Sequence, residues 1–212
     1  MAIEEEIKLT APTADILEAL AQDGELLAKC QGTPIKSRHY LATYYDTPER
    51  DLLRHHLAFR MRQEQGGGLR ANLKGTGGPM VDGLAQRQEW EESLSAPIQQ
   101  WEALPAGPMR EQILAAVPAQ APLVPLFVTD FQRRILLLQW EGNRVEMALD
   151  LGEIRALDRV YPLAEVELER LAGESAAIRA MADGLLQRYA LTYSQRSKFG
   201  LGLALLGVDA NV

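Results

Sequence analysis

Ile3-Glu4-Glu5-Glu6-Ile7-Lys8-Leu9 decides how the rest of the chain is read. Laid out as a strand, its side chains alternate between two faces. Glu4, Glu6 and Lys8 then share one face, while Ile3, Ile7 and Leu9 take most of the other. Two acids and a base on one side of a lone strand also describe a solvated edge. The pattern becomes informative only if other strands repeat it.

They do. In Leu57-Ala58-Phe59-Arg60-Met61-Arg62 the two arginines sit opposite Leu57, Phe59 and Met61. Gly66-Gly67-Gly68 is a permissive hairpin loop, and Leu69 to Lys74 returns with Arg70, Asn72 and Lys74 together. Arg87-Gln88-Glu89-Trp90-Glu91 groups Arg87, Glu89 and Glu91 and turns Trp90 the other way. Leu126 to Trp140 reads as a strand carrying Arg133 and Arg134, only one of which can share the charged face. Glu141-Gly142-Asn143 is a hairpin turn. Arg144 to Leu151 follows with Glu146, Ala148 and Asp150 on one side, and Ala164 to Glu169 alternates Glu165, Glu167 and Glu169 with apolar partners.

Between these strands, Thr10 is placed to cap a helix with Pro12 and Asp15 in its first turn. Ile16, Leu17, Leu20, Leu26 and Leu27 supply its apolar side, interrupted near Gly24. Residues 38–45 form a strand ending in the turn Asp46-Thr47-Pro48. His55 and His56 lie in a link and are not taken as ligands. Gly75-Thr76-Gly77-Gly78-Pro79 lacks the Gly-Lys-Ser/Thr ending of a phosphate-binding P-loop and reads as a connection. Prolines break residues 96–126 into short pieces, with a helix over 108–117, and 174–189 is an amphipathic helix. Tyr193 to Leu203, with Ser197 and Lys198, is predicted as the final strand. With no internal repeat or linker, residues 1–212 are expected to form one domain.

The 22 Lys and Arg against 29 Asp and Glu leave a net charge of −7, the reverse of a general nucleic-acid binder. A lone cysteine, Cys30, permits no internal disulfide. There is no secretory signal pattern and no apolar run long enough to span a bilayer. The expectation is a cytoplasmic protein without a nucleic-acid or membrane partner; the oligomeric state is not readable.

The charged face thus collects Glu4, Glu6, Glu89, Glu91, Glu146, Asp150, Glu165, Glu167 and Glu169 with Lys8, Arg60, Arg62, Arg70, Lys74, Arg87 and one of Arg133 and Arg134. An open sheet with one wet, salt-bridged side is the competing reading. Against it, the face has almost no Thr, Ser or Gln, and like charges recur two residues apart. A closed antiparallel barrel resolves both points, turning its apolar face out to the helices and its charges inward. Clustered acids suit Mg²⁺ or Mn²⁺. Clustered Arg and Lys suit phosphate oxygens. Together they describe a site for a phosphate chain.

These residues resemble the CYTH superfamily, the triphosphate tunnel metalloenzymes. Glu4-Glu5-Glu6-Ile7-Lys8 is similar to the family's ExExK signature. Tyr45-Asp46-Thr47-Pro48, the Arg60/Arg62 strand, Leu73-Lys74, Arg87/Glu89/Glu91, Asp150, Glu165/Glu167 and Ser197-Lys198 follow in family order. Thr129 to Arg133 and Ala148 to Ile154 look most like the bacterial inorganic triphosphatase branch, whose members often carry a helical CHAD domain that these 212 residues do not contain. The resemblance implies an α+β fold built on a closed eight-stranded antiparallel β-barrel, a tunnel with helices packed outside. It implies metal-dependent hydrolysis of inorganic tripolyphosphate, with nucleoside or organic triphosphates as alternative substrates and adenylate cyclase, thiamine triphosphatase or polyphosphate-binding module as alternative roles. Glu4, Glu6, Asp150, Glu165 and Glu167 would hold Mg²⁺ or Mn²⁺. Lys8, Arg60, Arg62, Lys74, Arg87, Arg133 and Lys198 would grip phosphates. Asp150, Lys74 and Glu91 form the implied catalytic set, with Asp150 supporting a metal or orienting water. One departure stands out: Phe199 to Leu203 is apolar where the family often has a further base.

Overall fold

The computed structural model describes the backbone of residues 2–76 and 84–208 and the side chains of 5–76 and 88–208. Nine strands form one sheet in which every pairing is antiparallel. They are β1 (Ala2–Thr10), β2 (Lys36–Asp46), β3 (Leu57–Glu64), β4 (Leu69–Gly75), β5 (Leu84–Leu94), β6 (Val124–Trp140), β7 (Asn143–Ala156), β8 (Arg159–Ala172) and β9 (Thr192–Tyr193). Their order is β5-β4-β3-β2-β6-β7-β8-β1-β9. In addition β5 pairs with β1, from Ala2 opposite Glu89 to Ile7 opposite Leu84. With helices α1 (Ala14–Ala21), α2 (Gly24–Lys29), α3 (Asp51–Arg54), α4 (Pro108–Ala116), α5 (Ser175–Arg188) and α6 (Lys198–Leu205), the architecture is α+β.

The helices lie on the apolar face of the sheet. Ile7, Leu136, Met147 and Leu168 pack with Leu17 and Leu20 of α1 and Ile178 and Leu185 of α5. Phe59, Met61 and Leu73 pack with Leu52 of α3, Trp101, and Met109 and Ile113 of α4. Alternation in the strands therefore sends the charged residues to the other side, which of these helices only α6 reaches, through Lys198 and Phe199.

The long hairpins follow from their turns. Trp140 pairs with Asn143, leaving Glu141 and Gly142 at φ 47° and 79°, the left-handed pair that a two-residue turn requires. Ala156 pairs with Arg159 across Leu157-Asp158. Both β7 and β8 run beyond the expected 144–151 and 164–169. Their outer ends lack strict alternation, yet the backbone ladder continues. At Gly152 a Cβ would come 2.2 Å from the Asp130 carbonyl oxygen, so only glycine lets β7 lie against Phe131.

Two sequence expectations are corrected. Thr10 ends β1 instead of capping a helix, and its hydroxyl meets Ser194 Oγ at 2.8 Å. The helical stretch is split in two at Asp23, whose carboxylate accepts the Glu25 and Leu26 N–H at 2.9 and 3.0 Å and the Tyr189 hydroxyl at 2.5 Å. Second, of the predicted last strand only Tyr193 pairs, together with Thr192 before it; Lys198 to Leu205 is helix α6. Ser197 caps it, accepting the Gly200 N–H at 3.1 Å. Phe199 and Leu203, four residues apart, turn one helical stripe onto Tyr44 and Phe127.

Gly202 presses on the Phe127 ring, where a Cβ would come within 2.2 Å, while a Cβ at Gly184 of α5 meets nothing within 4 Å. Helix propensity favours alanine at both positions by about 1 kcal/mol. Overpacking opposes it at the first by about 1–3 kcal/mol. Urea unfolding should therefore show Gly184→Ala more stable than the parent and Gly202→Ala less stable.

Candidate active site

The charged face lines a cavity of about 250 Å³. Its acidic part is set by the β7–β8 register, which places Asp150 opposite Glu165 and Ala148 opposite Glu167. One carboxylate oxygen from each of Asp150, Glu165 and Glu167 lies within 4.8 Å of the others, and all three residues are buried. Arg133 grips Asp150 with a two-pronged contact, Nε to Oδ1 at 2.7 Å and a terminal nitrogen to Oδ2 at 2.6 Å, and also meets Glu167. Lys198 Nζ is 2.8 Å from Asp150 Oδ2, 2.8 Å from Glu167 Oε1, and in contact with Glu165. Lys8 bridges Glu167 and, at 2.9 Å, Glu6.

These charges tune one another. Burial alone would raise Glu167, but Arg133, Lys198 and Lys8 outweigh it and hold its carboxyl well below the usual range. For Glu165 burial prevails over Lys198 and Lys8, and its carboxyl is pushed up. Burial works against the ammonium of Lys8 too, yet Glu167, Glu6 and Glu165 hold its pKa well above normal. Three hard carboxylates converging in one buried place fit a divalent cation such as Mg²⁺ or Mn²⁺ by donor chemistry.

The opposite wall is basic. Arg60 and Arg62 project from β3 and Lys74 from β4. Arg60 donates to the Tyr44 hydroxyl at 3.1 Å, and Arg62 lies 4.9 Å over the Tyr40 ring. The Nε of each arginine is buried without a hydrogen-bond partner, as are Asn72 Oδ1 and Thr76 Oγ1. All four residues line the cavity. Burial and the neighbouring Arg60 pull Arg62 down to about 10. Buried donors left open among like charges are suited to an incoming polyanion.

The expected residues fall into these two groups. Glu6, Lys8, Asp150, Glu165, Glu167, Arg133 and Lys198 gather on the acidic side; Arg60, Arg62 and Lys74 form the basic side. Of the adjacent arginines, Arg133 faces the site, whereas Arg134 faces out to Glu18 at 2.8 Å. Glu91 belongs with the bases: it accepts from Arg62 at 3.1 Å, Arg70 at 2.6 Å and Asn72 at 2.8 Å. Glu89 does likewise with Lys74 at 3.3 Å. Glu146 lines the cavity as expected. Glu4 and Arg87 lie opposite each other in the β1–β5 register, but their side chains fall outside the described residues, as do Gly77, Gly78 and Pro79.

Sequence reading missed Tyr40, Tyr44, Phe131 and Thr76. Tyr40 and Tyr44 share parity along β2, which was the available signal. Their uncharged rings hid their role as plates beneath the guanidinium groups. It also passed over Glu5, which is buried on the helix side, accepting from Ser175 Oγ at 2.9 Å and from Arg170.

Buried acids and a basic wall thus share one cavity on the charged face of an antiparallel sheet, in an α+β domain. The chain belongs to the CYTH domain family, whose model matches residues 2–199. It is 30% identical over 167 residues to the inorganic triphosphatase of Haemophilus influenzae, covering 77% of this chain and 45% of that one, so the chain spans under half of that relative's length. Among solved structures, a Hippeastrum protein provisionally named an adenylyl cyclase and described as having a dominant triphosphatase activity superposes with a TM-score of 0.63 at 19% identity, over 98% of this chain and 97% of that one. A Bacillus halodurans protein provisionally named an adenylate cyclase gives 0.55 at 14% identity, over 93% and 96%. These two likenesses establish the shared fold. Among the described residues no helix is long and apolar enough to cross a membrane.

Glu167 adds stability above its unfolded value of about 4.3, and loses it as pH falls toward its depressed folded value. Removing its charge strands buried bases, a loss of about 3–5 kcal/mol. In denaturant titrations from pH 7 to pH 3, Glu167→Gln should be weaker at pH 7, and its stability should change less on acidification than that of the parent.

Proposed function

We propose that this chain hydrolyses linear triphosphates, with inorganic tripolyphosphate as substrate, and uses Mg²⁺ or Mn²⁺ to do so. On this reading residues 1–212 act as one CYTH domain, and the β5–β1 pairing makes the sheet work as a closed eight-stranded tunnel. The observation that carries the proposal is the convergence of a buried carboxylate triad and a row of incompletely partnered bases on one cavity.

Asp150, Glu165 and Glu167 would hold the cation, with Glu6, and with Glu4 as the family signature implies. When bound, it supplies Lewis acidity toward phosphate oxygens and toward water. Arg60 and Arg62 offer their free Nε groups, and Lys74 its ammonium, to the phosphate chain. Arg133, Lys8 and Lys198 stand between the acids and that chain, positioned to meet charge that builds up on the phosphoryl group. Phosphoryl transfer needs alignment and charge stabilisation more than covalent help, and these fixed groups provide both. Glu91 and Glu89 hold Arg62, Arg70 and Lys74 in place, a positioning role in exchange for the catalytic one expected of Glu91. The Haemophilus relative's name supports hydrolysis of this class.

The test is product release from tripolyphosphate, thiamine triphosphate and ATP, each with Mg²⁺ and with Mn²⁺. Phosphate from tripolyphosphate is the expected result. Cyclic AMP from ATP as the main product, or no turnover of any triphosphate, would overturn the assignment. Because Lys198 stays paired with Asp150 and Glu167, Glu165→Gln should keep the fold by circular dichroism yet lose metal-dependent release. Losing a charged hydrogen bond weakens binding by about 1.5–3 kcal/mol. Arg60→Met should accordingly raise KM for tripolyphosphate by about ten-fold or more.

A further inference from the structure

We propose that Lys198 is a built-in rival of the divalent cation, so that phosphate binding strengthens metal binding by drawing Lys198 off the acidic triad. This rests on the reading of the cavity as a phosphate site. Among the described bases near the triad, Lys198 alone is paired with all three carboxylates: Asp150, Glu165 and Glu167. Arg133 meets Asp150 and Glu167, and Lys8 meets Glu6 and Glu167. One ammonium thus donates to Glu165 and Glu167 and sits 2.8 Å from Asp150, the same three groups whose oxygens are close enough to share an ion.

Two cations cannot use one set of oxygens. A metal ion entering the triad must separate Lys198 from it, and the repulsion between them adds to that demand. The lysine has somewhere to go. It lines the cavity, its Nζ lies 5.3 Å over the Phe131 ring, and its backbone is fixed by the Ser197 cap at the start of α6. A long flexible stem can therefore swing the ammonium toward phosphate while the helix stays still. Phosphate oxygens in the cavity would compete for Lys198 and release the carboxylates. Linkage makes the effect mutual: whatever factor phosphate adds to metal affinity, metal adds to phosphate affinity.

The test is Mn²⁺ affinity by electron paramagnetic resonance of the free ion on the full chain, with no turnover involved. Without phosphate, Lys198→Met and Lys198→Gln should bind Mn²⁺ about ten-fold or more tightly than the parent, within the usual range of coupling. Lys198→Arg, which keeps the charge, should bind it as weakly as the parent. Imidodiphosphate, with free-chelate controls, should tighten Mn²⁺ binding to the parent by a larger factor than in the neutral variants. Equal or weaker Mn²⁺ binding by both neutral variants would overturn the proposal. Should both fail to fold without metal, Mn²⁺ must raise their melting temperatures more than the parent's, and its failure to do so overturns the proposal equally. Because metal affinity is read separately from phosphate release, this coupling can fail while triphosphate hydrolysis stands.

Discussion

Asp150 is wholly buried, and a buried carboxylate must be answered from within the protein. That requirement governs the interior. Its answer is the paired contact from Arg133 on the neighbouring strand β6, reinforced by Lys198 from α6. Arg133 and Asp150 are direct partners in the β6–β7 register, so the ladder that builds the sheet also brings the charges together. The same ladder carries on to Glu165 and Glu167, whose acids draw in Lys8 from β1. The charged interior is thus an extension of strand pairing, and any slip of register would turn these groups into the greasy layer beneath the helices.

Such an interior is an expensive way to hold a protein together. Buried ion pairs typically stabilise no more than apolar packing of the same volume. Stability here comes from the opposite face, where leucines, isoleucines and aromatic rings of the sheet meet the helices. The division of labour is clean: one surface of each strand secures the fold, and the other is left for ligand chemistry.

Much of this was legible in the residues because a strand has a period of two. Arg60 and Arg62, Asp150, and Glu165 through Glu169 fall on one side by counting alone, and the charged faces emerge before any coordinates. Legibility ended where that period ended. The C-terminal Leu-Gly-Leu segment alternates well enough to pass for a strand, but Gly202 exists to admit the Phe127 ring, a contact from far away in the chain. Tyr40 and Tyr44 escaped because their work depends on which cation lies over them. The break near Gly24 was legible, but the partners that hold Asp23 there, Tyr189 and Arg188, approach only once α5 has docked. Local patterning gives faces; partners across the sheet and from distant helices complete the site.

The position of α6 has one more consequence. Its first residue, Lys198, reaches the acids, while its second, Phe199, stacks on Tyr44 at 5.6 Å, and Tyr44 in turn steadies Arg60. The acidic and basic walls are therefore both tied to a single helix. A tilt of that largely buried helix would be felt at both walls at once, making it a lever pivoted on the Phe127 ring.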